Sequence, residues 1–113
     1  MTLKIYHNPR CSKSRETLAL LESKGLAPLV IEYLKTPPSQ ADLKNILKVL
    51  AIPARAIVRK KEAADVNIDL DGLNDSELIA SMVKHPEIIE RPIVVNGNKA
   101  AIGRPPERVL DIV

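Results

Sequence analysis

The one cysteine of this chain, Cys11, lies in the run Tyr6-His7-Asn8-Pro9-Arg10-Cys11-Ser12-Lys13-Ser14-Arg15. The apolar stretch Leu3 to Tyr6 precedes this run and an apolar helical pattern follows it. The thiol is therefore expected in a strand-loop-helix unit, at the N-terminus of the helix. Such a terminus presents unpaired amide N–H groups and the positive end of the helix dipole. With Arg10, Lys13 and Arg15 close by, the surroundings favour the thiolate, the nucleophilic form. The competing expectation is a buried structural cysteine, a frequent fate of unpaired thiols. A single cysteine excludes an intramolecular disulfide, a Cys-x-x-Cys redox pair and a four-cysteine zinc site. Redox chemistry at Cys11 must then take its second thiol from another molecule.

Three arginines give that thiol a use. Arg59, Arg91 and Arg104 each stand where a predicted element opens or closes, and prolines follow Arg91 and Arg104, which puts these two in loops. A guanidinium stays charged and offers paired N–H donors that match a tetrahedral oxyanion, so converging loop arginines suit phosphate-like or arsenate-like groups. A thiolate beside them can attack the bound oxyanion's centre. Taken singly, each arginine is equally well read as a solvated surface charge, and Lys60 and Lys61 are read that way. His7, four residues before Cys11, can support the thiolate through a hydrogen bond or as a neighbouring cation, or can simply finish the first strand. His85, before Pro86, reads as a helix C-terminal residue complementing the dipole.

The elements that must position these groups follow from periodicity and punctuation. Leu3 to Tyr6 reads as a strand, about Ser12 to Lys24 as a helix ended by Gly25, and Leu29 to Leu34 as a second strand, parallel to the first through a right-handed crossover. Ser39 and Asp42 form a capping-box pattern ahead of a helix burying Leu43, Ile46, Leu47 and Leu50. A short helix is expected near Ala54 to Arg59, then a charged, irregular stretch from Lys60 to Gly72. Its Asp65, Asp69 and Asp71 lack the spacing and final Glu of a calcium loop. Asn74 or Asp75 caps a helix carrying Leu78, Ile79, Met82 and Val83 that stops at His85-Pro86. Ile93 to Val95 and Ala100 to Ile102 flank Asn96-Gly97-Asn98 as a hairpin. Pro105 and Pro106 start a last helix that packs back through Val109, Leu110 and Val113. The order is that of an α/β domain with a thioredoxin/glutaredoxin-like mixed sheet, βαβ…ββα, over residues 1–113, with a helical insertion at about 39–86. In such folds a cis proline precedes the strand that faces the catalytic thiol, and Pro92 stands at that place.

At 113 residues the chain suits one domain with a modest core and no need of disulfides. The net charge of +3, with two tyrosines and neither Trp nor Phe, gives no footprint for nucleic acid. Met1 to Lys4 lacks the apolar region of a signal peptide, and no apolar run is long enough to cross a bilayer. A cytoplasmic protein is expected, with no metal and no bound prosthetic group.

Together, Tyr6-His7-Asn8-Pro9-x-Cys11-x-x-Ser14-Arg15, Arg59-Lys60, Arg91-Pro92-Ile93-Val94 and Gly103-Arg104-Pro105 resemble the glutathione/glutaredoxin-coupled arsenate reductase family over nearly the whole chain. The resemblance implies that Cys11 is the nucleophile, that Arg59, Arg91 and Arg104 bind the oxyanion, and that His7 is the histidine the family places near the cysteine. Asn8, Ser14, Arg15 and Pro92 fall in the same motifs as supporting residues. It further implies arsenate as substrate, glutathione as co-substrate and glutaredoxin as protein partner. Arg10 departs from the small residue of better-known members, and longer members extend beyond the position of Val113.

Two other readings stay open at this point. One is a glutathione-dependent oxidoreductase acting on mixed disulfides, which has no need of three arginines. The other is a non-enzymatic redox-responsive regulator, for which Ser14 occupies the place of a second switch cysteine.

Overall fold

In the computed structural model, which describes residues 3–113, the elements run β1 (Leu3–His7), α1 (Ser12–Ser23), β2 (Leu29–Glu32), α2 (Gln40–Leu50), α3 (Lys60–Asp65), α4 (Asp75–Lys84), β3 (Ile93–Asn96) and β4 (Lys99–Ile102). Short 3-10 helices occupy Ala54–Ile57, Pro86–Ile88 and Pro106–Ile112. The reading of Met1 and Thr2 lies outside the described residues. The chain divides into two compact units, 1–36 with 91–113, and 37–90.

The first unit holds a four-stranded mixed sheet in the order β2-β1-β3-β4. β1 and β2 pair in parallel, with His7 opposite Glu32, while β3 runs antiparallel to both β1 and β4. This is the thioredoxin-like arrangement that the element order predicts. Alternation along the strands sends Ile5 and Val94 to one face, where they meet Leu21 of α1 and Val109 of the last helix, all fully buried. Leu18, Leu26 and Ile112 pack around them. The hairpin turns at Gly97, whose φ of 62° is the left-handed conformation that a two-residue turn requires.

Several boundaries differ from expectation. β2 ends at Glu32 rather than Leu34, because the Glu32 carbonyl accepts from both the Lys35 and Thr36 amides and closes a turn. α1 ends at Ser23 and is followed by Gly25 at φ 76°, the left-handed stop the glycine predicts. The final segment is a 3-10 helix. Its period of three puts Pro106, Val109 and Ile112 on one stripe and leaves Val113 exposed rather than packed.

In the second unit, Ser39 and Asp42 cap α2 reciprocally, as do Asn74 and Glu77 for α4, so Asn74 rather than Asp75 is the cap. Leu43, Ile46 and Leu47 of α2 and Leu78, Ile79 and Met82 of α4 are buried where the two helices pack. The charged stretch after Arg59 is not irregular throughout. Lys60–Asp65 forms a helix that buries Ala63, with Arg59–Glu62 and Lys61–Asp65 ion pairs one turn apart along it. The short helix before it ends at Ile57, which leaves Arg59 as the N-cap of α3.

Among the described residues, no helix is long and apolar enough to cross a membrane.

Candidate active site

The loop between β1 and α1 is held by a dense set of short hydrogen bonds. Asn8 makes three of them. Its carbonyl accepts from the Cys11 amide at 3.0 Å, its side-chain Oδ1 accepts from the Arg10 amide at 3.0 Å, and its own amide donates to Ser14 Oγ at 3.0 Å. Arg15 donates from Nη1 to the Pro9 carbonyl at 3.0 Å, fastening the loop to the first turn of α1 from outside. The basic residue beside the cysteine motif thus serves as a loop tie. Cys11 is the N-cap of α1, in extended conformation, and its carbonyl takes the first helical hydrogen bond from Arg15 N–H at 3.0 Å. No side chain caps that terminus, so its positive end is presented at the thiol.

Cys11 is only 8 % exposed, so the burial half of the structural-cysteine expectation holds. Its contact is not apolar, however. Arg104 Nη2 lies 3.6 Å from Cys11 Sγ, and Arg104 Nε donates to the Arg91 carbonyl at 2.8 Å. The guanidinium is therefore anchored through Nε while Nη2 reaches the sulfur. Both bonds draw on the planar fork of arginine, which lysine lacks.

The chain around Arg104 is shaped to deliver it. Arg91-Pro92 and Arg104-Pro105 are both cis, the first as expected for the residue ahead of β3. The Gly103 amide donates to the Pro92 carbonyl at 2.9 Å. A Cβ on Gly103 would stand 2.6 Å from Thr17 Oγ1 and 2.7 Å from Pro92 Cγ, closer than atoms can pack, so only glycine brings this segment against α1. Thr17 has no freedom to yield, because it is fully buried with its hydroxyl donating to the Lys13 carbonyl at 2.7 Å. Gly103 and Thr17 are absent from the supporting residues chosen from sequence. The Gly-Arg-Pro run marks the glycine, whereas nothing local marks the threonine.

His7 ends β1 and is 6 % exposed. Its Nδ1 lies 2.7 Å from Ser14 Oγ. Burial holds its pKa below the ordinary 6.5, Glu32 works against that shift and Arg15 works with it. His7, Asn8, Pro9 and Arg10 line a cavity of about 340 Å³ with Glu32, Leu34 and Lys35, and Lys35 Nζ pairs with Glu32 at 3.6 Å. Glu32 and Lys35 were not marked by the sequence pattern, because the parallel register alone sets Glu32 beside His7.

The first unit thus brings together Cys11, His7, Asn8, Ser14, Arg15, Arg91, Pro92 and Arg104. Arg59 belongs to the second unit. There its amide donates to the Ile88 carbonyl at 2.7 Å, and its Nε pairs with Glu62 at 3.2 Å. Among the described residues, no group of three or more His, Cys, Asp or Glu side chains is gathered as a metal site.

The sequence profile of the ArsC family matches residues 6–112, from the end of β1 through the last helix. This chain belongs to the ArsC family. Two relatives show how close the match is. The chain is 52 % identical over 114 residues to YfgD of Escherichia coli strain K12, an uncharacterized protein, covering 98 % of this chain and 96 % of that one. It is 49 % identical over 116 residues to an arsenate reductase of Haemophilus influenzae, covering both chains fully. The structure of an arsenate reductase from Vibrio cholerae superposes with a TM-score of 0.93 at 52 % identity, covering 100 % of this chain and 98 % of the other.

Proposed function

We propose that this ArsC-family protein reduces arsenate to arsenite, with Cys11 as the nucleophile and glutathione and glutaredoxin supplying the electrons. The observation that carries this reading is the Arg104 guanidinium 3.6 Å from Cys11 Sγ at an uncapped helix N-terminus. A nucleophile and an oxyanion ligand are thereby within one small group's width of each other. The name carried by the Haemophilus influenzae relative supports arsenate as that oxyanion.

The Cys11 thiolate attacks arsenic(V), forming an S–As bond while an oxygen leaves as water. Glutathione displaces a second oxygen and forms a mixed thiol adduct on arsenic. A glutaredoxin thiolate then attacks the glutathione sulfur. The S–As electron pair stays on arsenic, which becomes arsenic(III), and a glutathione–glutaredoxin disulfide departs. Hydrolysis of the remaining Cys11–arsenic bond releases arsenite. Two external thiols thus provide both electrons, which suits a chain with a single cysteine.

Arg104 and Arg91 serve as oxyanion ligands in this scheme. Arg59 is the third on the family resemblance alone. Asn8 and Arg15 hold the loop, and Pro92 accepts the hydrogen bond that seats Gly103. A cytoplasmic setting, where glutathione is kept reduced, matches the reaction.

The test is arsenite formation from arsenate with glutathione, glutaredoxin, glutathione reductase and NADPH, comparing the protein with its Cys11→Ser form. Cysteine-dependent arsenite supports the proposal. Absence of arsenite, with Cys11-dependent cleavage of a glutathione mixed disulfide in the same mixture, moves the protein to the thiol-oxidoreductase reading.

A further inference from the structure

The two hydrogen bonds at Ser14 differ in cost according to which group donates. A backbone amide can only donate, so Asn8 N–H, at 3.0 Å, occupies a lone pair of Ser14 Oγ. The hydroxyl proton then needs an acceptor, and His7 Nδ1 at 2.7 Å is the other group within reach. Ser14 is fully buried, so bulk solvent does not take that proton. Were Nδ1 protonated instead, the serine oxygen would receive two donors. Its own hydrogen would be left unpaired in the interior, at a cost of about 1–3 kcal/mol.

We infer that Ser14 is a positioning residue that holds His7 as the neutral imidazole, with its proton on Nε2. The relay runs from Asn8 N–H to Ser14 O–H to His7 Nδ1, and it ties the last residue of β1 to the first turn of α1 across the loop that carries Cys11. The charges around the ring fit this state. Arg15 disfavours a second positive charge and burial does the same, while Glu32 alone opposes them. Arg10 and Lys35 line the same cavity and add no negative charge.

The consequence is a change in what His7 does. It is an uncharged ring with its Nε2–H as the remaining donor, in a residue that lines the 340 Å³ cavity, rather than a cation. The positive charge facing the Cys11 sulfur comes instead from Arg104 and the α1 terminus. The assignment of the ring is independent of substrate. Only its catalytic consequence rests on the proposed arsenate reduction.

Long-range ¹H–¹⁵N correlation of the histidine ring, on the labelled full chain from pH 5 to 8, tests this directly. At pH 7.5 the ring of His7 is expected neutral and protonated at Nε2, with Nδ1 carrying the signature of an accepted hydrogen bond. Ser14→Ala should move Nδ1 to the position of an unbonded ring nitrogen and lower kcat about fivefold. Ser14→Thr, which keeps the hydroxyl, should restore both. A wild-type ring protonated at Nδ1, or an imidazolium at pH 7.5, overturns the inference without any variant. So do a Ser14→Ala spectrum unchanged from wild type, and a changed spectrum with unchanged kcat at every pH. A protein that forms no arsenite but shows the expected ring state loses the proposed reaction and keeps the assignment.

Discussion

Arg104 reaches Cys11 across 93 positions of sequence, placing Nη2 3.6 Å from Sγ while its Nε is anchored on the Arg91 carbonyl at 2.8 Å. The anchor matters as much as the contact. A guanidinium anchored through Nε has already lost much of its freedom, so its charge is held beside the sulfur before any anion arrives. Replacing Arg104 by Lys removes the anchor and keeps the charge. It should lower kcat/KM for arsenate by about a hundredfold. Stability should change by less than about 1 kcal/mol, since the group is a loop residue outside the apolar core. Steady-state kinetics with urea unfolding on the same preparation checks both, and a kcat/KM within twofold of wild type would remove Arg104 from the site.

Gly103 sets the approach of that arginine. Gly103→Ala forces a methyl against Thr17 and Pro92 and should destabilise the protein by about 1–3 kcal/mol, as overpacking does. The displaced segment carries Arg104, so activity should fall in the fraction that remains folded. Urea midpoints give the first quantity. A loss below 0.5 kcal/mol, on the order of a neutral surface change, would mean that α1 gives way at this point.

His7 gives stability a pH dependence of determined sign. Its folded pKa lies below the ordinary 6.5, with burial the main cause, so the unfolded chain binds a proton that the folded chain refuses. The contribution is fully present above 6.5 and is lost as pH falls through the folded pKa, with no further loss from this group below it. The difference in unfolding free energy between wild type and His7→Gln should therefore narrow as pH drops from 8 to 5. Urea titrations across that range read it, and a difference that widens toward acid would reverse the assignment.

Arg59 is committed to Glu62 at 3.2 Å, a half-buried pair one turn apart. If Arg59 binds the oxyanion as proposed, Glu62→Gln releases it and should lower KM for arsenate by up to about fivefold, the scale of a partly exposed ion pair. Arg59→Lys should raise KM tenfold or more, the scale of a lost charge-assisted hydrogen bond. Kinetics in which neither substitution moves KM would leave Arg59 as a helix-capping residue only.

Much of this protein is written in signals only a few residues long. Ser39 with Asp42 announces α2, Asn74 or Asp75 announces α4, Gly25 ends α1, and Asn96-Gly97-Asn98 turns the hairpin, because caps and turns are closed by neighbours three or four positions away. The strand-loop-helix placement of Cys11 is legible for the same reason. The helix at Lys60–Asp65 is hidden in the sequence because its charges read singly as solvent-facing, whereas Arg59–Glu62 and Lys61–Asp65 pair along it and Ala63 turns inward. The 3-10 form of the last helix is set by packing. Its period of three carries Pro106, Val109 and Ile112 along one side, a choice between near-equal periods that seven residues do not make by themselves.

The chemistry divides in the same way. Residue types alone give one thiol, one nearby histidine and three loop arginines. Which arginine meets the sulfur is decided only when the β2-β1-β3-β4 sheet and the Gly103–Thr17 contact bring the end of β4 against the start of α1. Likewise, sequence leaves His7 open as cation or hydrogen-bond partner. The buried Ser14 hydroxyl, already accepting from the Asn8 amide and within 2.7 Å of Nδ1, is what the inferred neutral ring rests on, because leaving its proton unpaired in the interior costs about 1–3 kcal/mol.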